Sequence, residues 1–255
     1  MEYITINRGP DGFGSQLLSI ISGISYAKAN GLTYLHTPIS NLKLVDKSEF
    51  QNTELVKCNN IIDAVINNLN LRKRTEYDSC VSKPFFHKEI KNEGVEKYYN
   101  DSFLKELQNS YPTTMSKPDY FDGNFNIAIH IRRGADILEL DKPYRYIGSE
   151  IYEKIIKILK KEYPEAVIHI FSWNDSGVIE GENIIFHTSE TGDIFLEDFN
   201  AMVHSDILLV GSSSLSMVAG MFNKNKVICN DDLFKCTDPI PPSWIENYNK
   251  IIKNV

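Results

Sequence analysis

The charged segment His130-Ile131-Arg132-Arg133-Gly134-Ala135-Asp136 combines residue types that can hold an anion. The apolar, β-prone run at 126–131 predicts a buried strand, with Arg132 and Arg133 just past its carboxyl end. In open α/β sheets, ligands bind at that edge. A guanidinium group donates two parallel hydrogen bonds to phosphate oxygens. Two arginines beside His130 therefore favour a phosphorylated ligand over a merely solvated or salt-bridged pair.

A second polar segment, 211–216, follows the apolar run that ends at Val210. Gly211 permits a tight strand-to-helix turn, where hydroxyls and free backbone N–H groups can cradle an anion. The segment lacks the lysine of a P-loop, which disfavours a nucleoside triphosphatase. A plain serine N-cap is the alternative, but that role needs only one hydroxyl. The candidate phosphate-binding residues are Ser212, Ser213, Ser214 and Ser216.

The amino-terminal loop at 8–16 supplies a carboxylate at the end of another predicted strand. Its glycines, Gly9, Gly12 and Gly14, lack the Gly-x-Gly-x-x-Gly spacing, so support for a dinucleotide-dependent oxidoreductase is weak. Asp11, held on this glycine-rich backbone, is suited to accept a proton from an attacking hydroxyl. The alternative is a turn aspartate that hydrogen-bonds its own backbone.

Composition limits the partners and the compartment. The 255-residue chain carries a net charge of −7, which disfavours nucleic-acid binding because that role needs a basic face. Its four cysteines lack zinc-site spacing and indicate no oxidising compartment. No apolar run approaches the roughly 20 residues of a membrane span, and no leader pattern opens the chain. We expect a cytosolic protein, with peripheral membrane attachment left open. The composition is rich in Asn, Ile and Lys, which is typical of an AT-rich bacterial or viral genome.

The order of the predicted elements indicates an α/β fold. In the second half, strands alternate with helices, which implies right-handed βαβ units and a parallel sheet. The first half opens with a strand, the glycine loop and a helix, and the proline-containing stretch 111–118 marks a boundary. We predict two Rossmann-like domains, 1–115 and 116–240, whose parallel sheets face a central cleft, followed by a C-terminal helix at 241–255.

Taken together, these segments resemble the fucosyltransferase superfamily that includes bacterial alpha-1,2-fucosyltransferases and protein O-fucosyltransferases. Segment 129–136 is similar to the family's His-x-Arg-x-Gly-x-Asp signature, the one motif that is specific by itself. Segments 12–18, 170–175 and 211–217 resemble its glycine-rich loop, its Phe-Ser-Asp-Asp strand end and its Asn-Ser-Ser-Phe-Ser-Trp-Trp motif. Ala135 matches the protein O-fucosyltransferase spacing, and Met217-Val218 replaces the tryptophan pair, so the sugar and acceptor stay open.

The resemblance implies a GT-B-like fold with an acceptor-side domain at 1–115 and a nucleotide-sugar-binding domain at 116–240. It also implies inverting transfer of a sugar, fucose by default, from a nucleotide-diphosphate donor such as GDP-fucose to a hydroxyl of a glycan. The nucleotide sugar is then a substrate, and no cofactor and no metal are expected. The sequence agrees on the metal, since it contains no Asp-x-Asp pair of the kind that holds a divalent ion on a diphosphate.

On this resemblance, Arg132 stabilises the leaving diphosphate and Asp11 is the general base, with Asp136 as the second candidate. Arg133 binds the donor or positions the loop, and His130 contacts the nucleotide or is a satisfied core histidine. The candidate donor-binding residues are His130, Arg133, Gly12, Gly14, Asp175, Asp193, Ser212, Ser213, Ser214 and Ser216. Two alternatives stay open: a transferase that uses another GDP- or UDP-sugar, and a non-catalytic nucleotide- or carbohydrate-binding protein. The oligomeric state is also open.

Overall fold

The computed structural model describes residues 2–42, 48–121, 123–133, 145–173, 181–188, 195–230 and 238–252. The chain divides into two compact units. The first comprises Met1–Met115 and Thr237–Pro241, and the second comprises Ser116–Cys236 and Pro242–Val255. This division differs from the predicted one after residue 236, since Thr237–Pro241 groups with the first unit and the final helix groups with the second.

The first unit is built on a four-stranded parallel sheet with the order β3-β2-β1-β4. Strands β1 and β4 are neighbours although β4 comes last in the chain, so the strand order reverses between them. The carboxyl ends of these two strands are therefore the topological switch point of the unit. The elements are β1 (Tyr3–Ile6), α1 (Phe13–Ala29), β2 (Thr33–His36), α2 (Ser48–Asn68), β3 (Arg72–Lys73), β4 (Val81–Lys83), α3 (His87–Glu93), α4 (Val95–Tyr98) and α5 (Asp101–Ser110).

Helix α1 packs closely on strand β1 because Gly23 has no side chain. A Cβ at Gly23 would lie 2.9 Å from Cγ1 of Ile6, which is too close for a real contact. The helix is buried on most of its circumference, and apolar residues such as Leu17 and Ile21 are fully buried. The helix ends at Ala29, Asn30 is its C-cap, and Gly31 follows with a φ of +66°, a backbone conformation that favours glycine.

The second unit has a five-stranded parallel sheet with the order β7-β6-β5-β8-β9. Within the unit this is the Rossmann order 3-2-1-4-5, and its switch point lies between β5 and β8. The elements are β5 (Asn126–Ile131), α6 (Ser149–Glu162), β6 (Val167–Ser172), β7 (Ile184–Thr188), α7 (Phe195–His204), β8 (Ile207–Leu209), α8 (Ser214–Phe222), β9 (Lys226–Ile228) and α9 (Pro242–Ile251).

The two faces of the second sheet differ in chemistry. One face is aliphatic and packs with residues of α6 and α9 in a single hydrophobic cluster. Its strand residues include Ile127, Ile129, Ile131, Ile168, Ile170, Ile207, Leu209 and Ile228. The opposite face carries polar rings and an amide, where His169 Nε2 lies 3.0 Å from Asn126 Oδ1 and His169 Nδ1 lies 2.9 Å from His187 Nε2. Strand β5 therefore fixes its register with isoleucines on one side and leaves the other side for polar groups.

The predicted fold class is confirmed: the chain is α/β, with a parallel sheet in each of two Rossmann-like units. The strands and helices predicted in the second half are present. Strands β3 and β4 are additional to those predicted. They are only two and three residues long, and most of their side chains are exposed, so they carry no apolar pattern.

The aliphatic face of the second sheet should dominate its stability. Ile170 on β6 is fully buried, so Ile170→Ala is expected to lower the free energy of unfolding by about 2–5 kcal/mol through lost burial and a cavity. Ile185 on the adjacent β7 is 43% exposed, and Ile185→Ala is the matched control with a much smaller loss. Urea titration followed by circular dichroism measures both values. Equal losses in the two variants would contradict this assignment of the core.

Candidate functional site

The second unit brings two of the predicted motifs together at its switch point. His130 lies on β5 one residue before the strand ends, and Gly211 lies two residues after the end of β8. A Cβ on Gly211 would lie 2.1 Å from the carbonyl oxygen of His130. Only glycine fits at this position, because any other residue would push the β8 loop away from β5. Because Gly211 has no side chain, the serine turn (211–216) can approach the end of β5 and the two arginines that follow it (Arg132 and Arg133, the arginine loop).

A hydrogen bond between His130 and Ser216 joins the two motifs directly. His130 Nδ1 lies 3.0 Å from Ser216 Oγ, and both side chains are buried. The Ser216 hydroxyl also accepts from the Gly211 N–H at 3.3 Å, and it is 3.2 Å from the Ser213 carbonyl oxygen. Burial lowers the pKa of His130 to about 3, with the positive charge of Arg132 as the second cause. The ring is therefore neutral at pH 7 and acts as a hydrogen-bonding group without charge.

The serine turn is a helix start in which the hydroxyls have separate roles. Ser213 is the N-cap of α8, and its hydroxyl accepts a hydrogen bond from the Leu215 N–H at 3.3 Å. Ser212 and Ser216 are fully buried, whereas Ser214 is partly exposed. The first-turn N–H groups and the positive end of the helix dipole suit a negative charge. Among the four predicted serines, Ser214 is therefore the one whose side chain is placed to meet a ligand from solvent.

The adjacent arginines have different environments. Arg133 is buried, and its guanidinium donates to the carbonyl oxygens of Arg132 at 3.1 Å and Ile147 at 2.9 Å. It also lies 4.4 Å from the centroid of the Tyr146 ring, at cation–π distance. These contacts tie the arginine loop to the residues that precede α6, and they support the loop-positioning alternative for Arg133. Arg132, by contrast, is partly exposed.

Three predicted site residues lie outside the described residues. Asp136 belongs to the segment 134–144, Asp175 to 174–180, and Asp193 to 189–194. Gly134 and Ala135 of the signature lie in the first of these segments as well. The roles given to these residues stay predictions.

The predicted carboxylate of the amino-terminal loop lies at the switch point of the first unit, paired with an arginine. Asp11 Oδ2 accepts from the Arg8 guanidinium at 2.5 Å, and Asp11 Oδ1 accepts from the Gly12 N–H at 2.8 Å. Arg8 also donates to the Ser19 hydroxyl at 2.5 Å and to the Ser15 carbonyl oxygen at 3.1 Å. The loop is thus an internally bonded structure in which Arg8 neutralises the charge of Asp11.

Two glycines of this loop, Gly12 and Gly14, lie at the start of helix α1. Gly12 is the extended N-cap residue of α1, and Gly14 is buried in its first turn. Gln16 donates to the carbonyl oxygens of Asp11 at 2.8 Å and Asn41 at 2.6 Å, which links the loop to the chain beyond β2. The structure therefore shows a local structural role for both glycines, and their predicted contact with the donor is untested.

A pocket lies at the same edge of the first unit. Its walls combine aliphatic and polar residues from the ends of β1 and β2 and from α1: Ile6, Asn7, Arg8, Gln16, Ile20, Thr37, Pro38, Ile39 and Ser40. Sequence reasoning missed Arg8 as a site residue, although it directly follows a strand in the same way as Arg132. Its position after β1 is the signal that would have found it.

Two properties concern the described part of the chain as a whole. Within it, no group of three or more histidine, cysteine, aspartate or glutamate side chains is arranged to hold a metal ion. Also within it, no helix is long and apolar enough to cross a membrane.

The arrangement defines a class: an α/β protein with two Rossmann-like units, one of which places a partly exposed arginine and a serine-rich helix start at its switch point. A solved fucosyltransferase structure has a similar fold. A variant of FUT1 from Arabidopsis thaliana in complex with GDP matches with a TM-score of 0.50 and 13% identity, over 89% of this chain and 70% of that one. Fucosyltransferase NodZ from Bradyrhizobium matches with a TM-score of 0.43 and 14% identity, over 86% of this chain and 92% of NodZ.

The resemblance inferred from the motifs is thus confirmed for the fold, which this chain shares with FUT1. No protein-family model and no curated protein sequence matches the chain.

The contact between Gly211 and the His130 carbonyl should be indispensable for the second unit. Gly211→Ala places a methyl group against a backbone oxygen, and we expect a loss of about 1–3 kcal/mol in the free energy of unfolding from overpacking. Gly9→Ala is the matched control, because a Cβ at exposed Gly9 meets no atom within 4 Å. Equilibrium urea unfolding compares the two variants. A Gly211→Ala protein as stable as Gly9→Ala would show that the loops are not held this closely.

Burial of neutral His130 should make stability depend on pH. Its pKa is about 3 in the folded protein, below the ordinary value of 6.5, so the unfolded chain binds the additional proton between these values. Stability contributed by the neutral ring is complete above pH 6.5 and is lost as the pH falls towards 3, at up to about 1.4 kcal/mol per pH unit.

Urea unfolding of wild-type protein and His130→Gln from pH 7 to pH 4 measures this contribution. The difference between the two slopes isolates His130, since His36, whose burial lowers its pKa to about 4, titrates in both proteins. The wild type should lose stability more steeply on acidification. Parallel slopes would refute a buried neutral His130.

Proposed function

We propose that the protein is a glycosyltransferase that moves a sugar from a nucleotide-diphosphate donor to a hydroxyl of a glycan acceptor. GDP-fucose is the default donor, the configuration is inverted, and no metal takes part. The observation that carries the proposal is the joining of Arg132 and the α8 helix start at the switch point of a Rossmann-like unit. Such edges bind phosphorylated ligands, and this one offers both a guanidinium group and helix N–H groups.

The comparison with a solved structure supports the nucleotide part of the proposal. FUT1, the fucosyltransferase whose fold this chain shares, was solved with GDP bound. A guanosine diphosphate leaving group carries the kind of charge that the arginine and the helix start can stabilise. With an identity of 13%, the sugar and the nucleobase of the donor are to be determined by experiment.

The chemical demand of the reaction fits Arg132. When the bond between the anomeric carbon and the diphosphate breaks, the electron pair stays on the diphosphate oxygen, where negative charge develops. Preorganised donors that face developing charge supply a large part of catalysis. We assign this role to Arg132, with Ser214 and the α8 N–H groups as further donors and Arg133 holding the loop in place.

The neutral His130 ring fits a position beside Arg132. A charged imidazolium there would repel the guanidinium, and burial already disfavours that form. His130 can instead orient Ser216 and with it the helix start. The predicted donor contacts of Ser212, Ser213, Ser216, Gly12, Gly14, Asp175 and Asp193, and the base roles of Asp11 and Asp136, remain part of the proposal.

The arginine assignment is tested by Arg132→Ala. Loss of transition-state stabilisation should lower kcat for GDP release from GDP-fucose by about 10²–10³-fold, and activity should persist in EDTA. Arg74→Ala removes an exposed arginine of the first unit and is the matched control. Substantial turnover by Arg132→Ala, or abolition of wild-type activity by EDTA, would contradict the mechanism.

A thermal-shift panel of GDP, UDP and their sugars identifies the donor, because a ligand that binds the native state raises Tm by mass action. A shift by GDP and GDP-fucose in excess of the UDP compounds supports the default donor. Binding without any GDP release, with a range of glycans as acceptors, would favour the non-catalytic alternative.

A further inference from the structure

A histidine–aspartate pair lies in the first unit, outside every motif considered so far. His87 Nδ1 is 3.0 Å from Asp238 Oδ1, and both side chains are nearly buried, with 10% and 11% of their surface exposed. His87 is the first residue of α3, and Asp238 belongs to the short segment Thr237–Pro241 that groups with this unit. Residues far apart in sequence are thus brought into one ion-pairing contact.

The pair lies beside the loop that carries Asp11. The short connection 84–86 separates β4 from His87, so His87 lies at the carboxyl edge of the sheet. Strands β1 and β4 are direct neighbours, and the Asn7 N–H donates to the Lys83 carbonyl oxygen at 3.0 Å. The Phe85 ring stacks on His87 with 5.2 Å between ring centroids, and Arg8 lies 5.8 Å from the centroid of the same ring. One aromatic ring therefore separates Arg8 from His87 at the switch point of the first unit.

Hydrogen-bonding capacity fixes the tautomer of His87. A carboxylate only accepts hydrogen bonds, so the neutral ring must carry its proton on Nδ1, towards Asp238. Nε2 then holds a lone pair and is a proton acceptor. Within the described part of the chain, His87 Nε2 is buried and has no hydrogen-bond partner. Buried polar atoms in proteins are rarely left unsatisfied, so an unused acceptor beside a carboxylate calls for a functional reason.

A second buried polar group of the first unit is influenced by the charge of the same carboxylate. The hydroxyl of buried Tyr99 has no hydrogen-bond partner among the described residues. Burial raises its pKa, and the negative charge of Asp238 raises it further, which places the two groups within electrostatic reach. His87 Nε2 and Tyr99 Oη are thus two buried polar atoms of the first unit that have no hydrogen-bond partner among the described residues.

Asp11 is less suited to take a proton than His87. One oxygen of Asp11 accepts from the Arg8 guanidinium and the other accepts from the Gly12 N–H, so both already hold the loop together. His87 Nε2 makes no such contact, and its partner Asp238 would stabilise the imidazolium formed by proton uptake. This is the orientation that an imidazole base requires.

We propose that His87 is the general base of the transfer reaction and that Asp238 is a positioning residue that fixes its tautomer. The inference rests on the proposed function. In the step, the acceptor O–H bond breaks and its proton goes to His87 Nε2, while the acceptor oxygen bonds to the anomeric carbon. The bond from that carbon to the diphosphate oxygen breaks, and its electron pair leaves on the diphosphate. His87 Nε2 is buried in the absence of substrate, so an acceptor that enters beside Phe85 must expose this atom. Catalytic hydrogen bonds commonly reach their final geometry only when the substrate is bound.

The kinetic test uses GDP release from GDP-fucose, with water as the acceptor, by the full-length protein. His87→Gln should lower kcat by about 10²–10⁴-fold, the usual contribution of a general base, without changing GDP affinity. His204→Gln is the matched control, because His204 lies at the end of α7 in the second unit, where its Nδ1 is 2.9 Å from the carbonyl oxygen of Asn200. Asp11→Asn is run beside them, and it should lose less kcat than His87→Gln.

The tautomer is tested without turnover, by ¹⁵N nuclear magnetic resonance of the imidazole nitrogens. In the neutral wild-type ring, the proton should be on Nδ1 of His87, and Asp238→Asn should shift the balance towards Nε2 and lower kcat together. Wild-type kcat in His87→Gln, or a proton on Nε2 in the wild type, would overturn the base assignment. A wild-type protein that binds GDP but releases none from GDP-fucose would instead refute the proposed function itself.

Discussion

The close approach of strands β5 and β8 at the second switch point is the constraint on which the proposed donor site depends. Gly211 lies against the His130 carbonyl at a distance that admits no side chain. This contact brings the start of α8 beside the arginine loop, and the His130–Ser216 hydrogen bond then fixes one to the other. Without it, the arginine and the helix start would be two unrelated surface features. With it, they form one edge at which a diphosphate can meet both.

The division of labour between adjacent arginines follows from the geometry of a strand end. A residue just past a strand can turn towards the sheet or towards solvent, and successive residues tend to alternate. Arg133 is turned inwards. Its guanidinium donates hydrogen bonds to backbone carbonyl oxygens, and it lies over the Tyr146 ring at cation–π distance. These contacts hold the Arg133 side chain against the backbone of Arg132 and Ile147. An Arg-Arg pair is therefore better understood as one structural and one exposed side chain than as a double anion-binding site.

Sequence patterns predicted the second unit well because its central strands, β5 and β6, are each six residues long, largely apolar and almost wholly buried. The alternating isoleucines of β5 indicate a buried strand, and the candidate site residues His130, Arg132 and Arg133 come at its end. The first unit was harder, since β3 and β4 are two and three residues long and mostly exposed, so their strand conformation comes from pairing with neighbouring strands. The roles of Arg8 and Arg133 depend on which way a side chain turns. The His87–Asp238 contact joins distant parts of the chain, and no local pattern predicts it.

The electrostatics of the two units favour different ligands. The protein carries a net charge of −7, so long-range attraction cannot concentrate an anion near it. A diphosphate would instead be held over short distances, where a guanidinium group and helix N–H groups act within about one Debye length of 8 Å. In the first unit, Arg8 is balanced by Asp11, and the pocket at that edge offers amide and hydroxyl groups without net charge. Such a lining suits a neutral hydroxyl-bearing ligand.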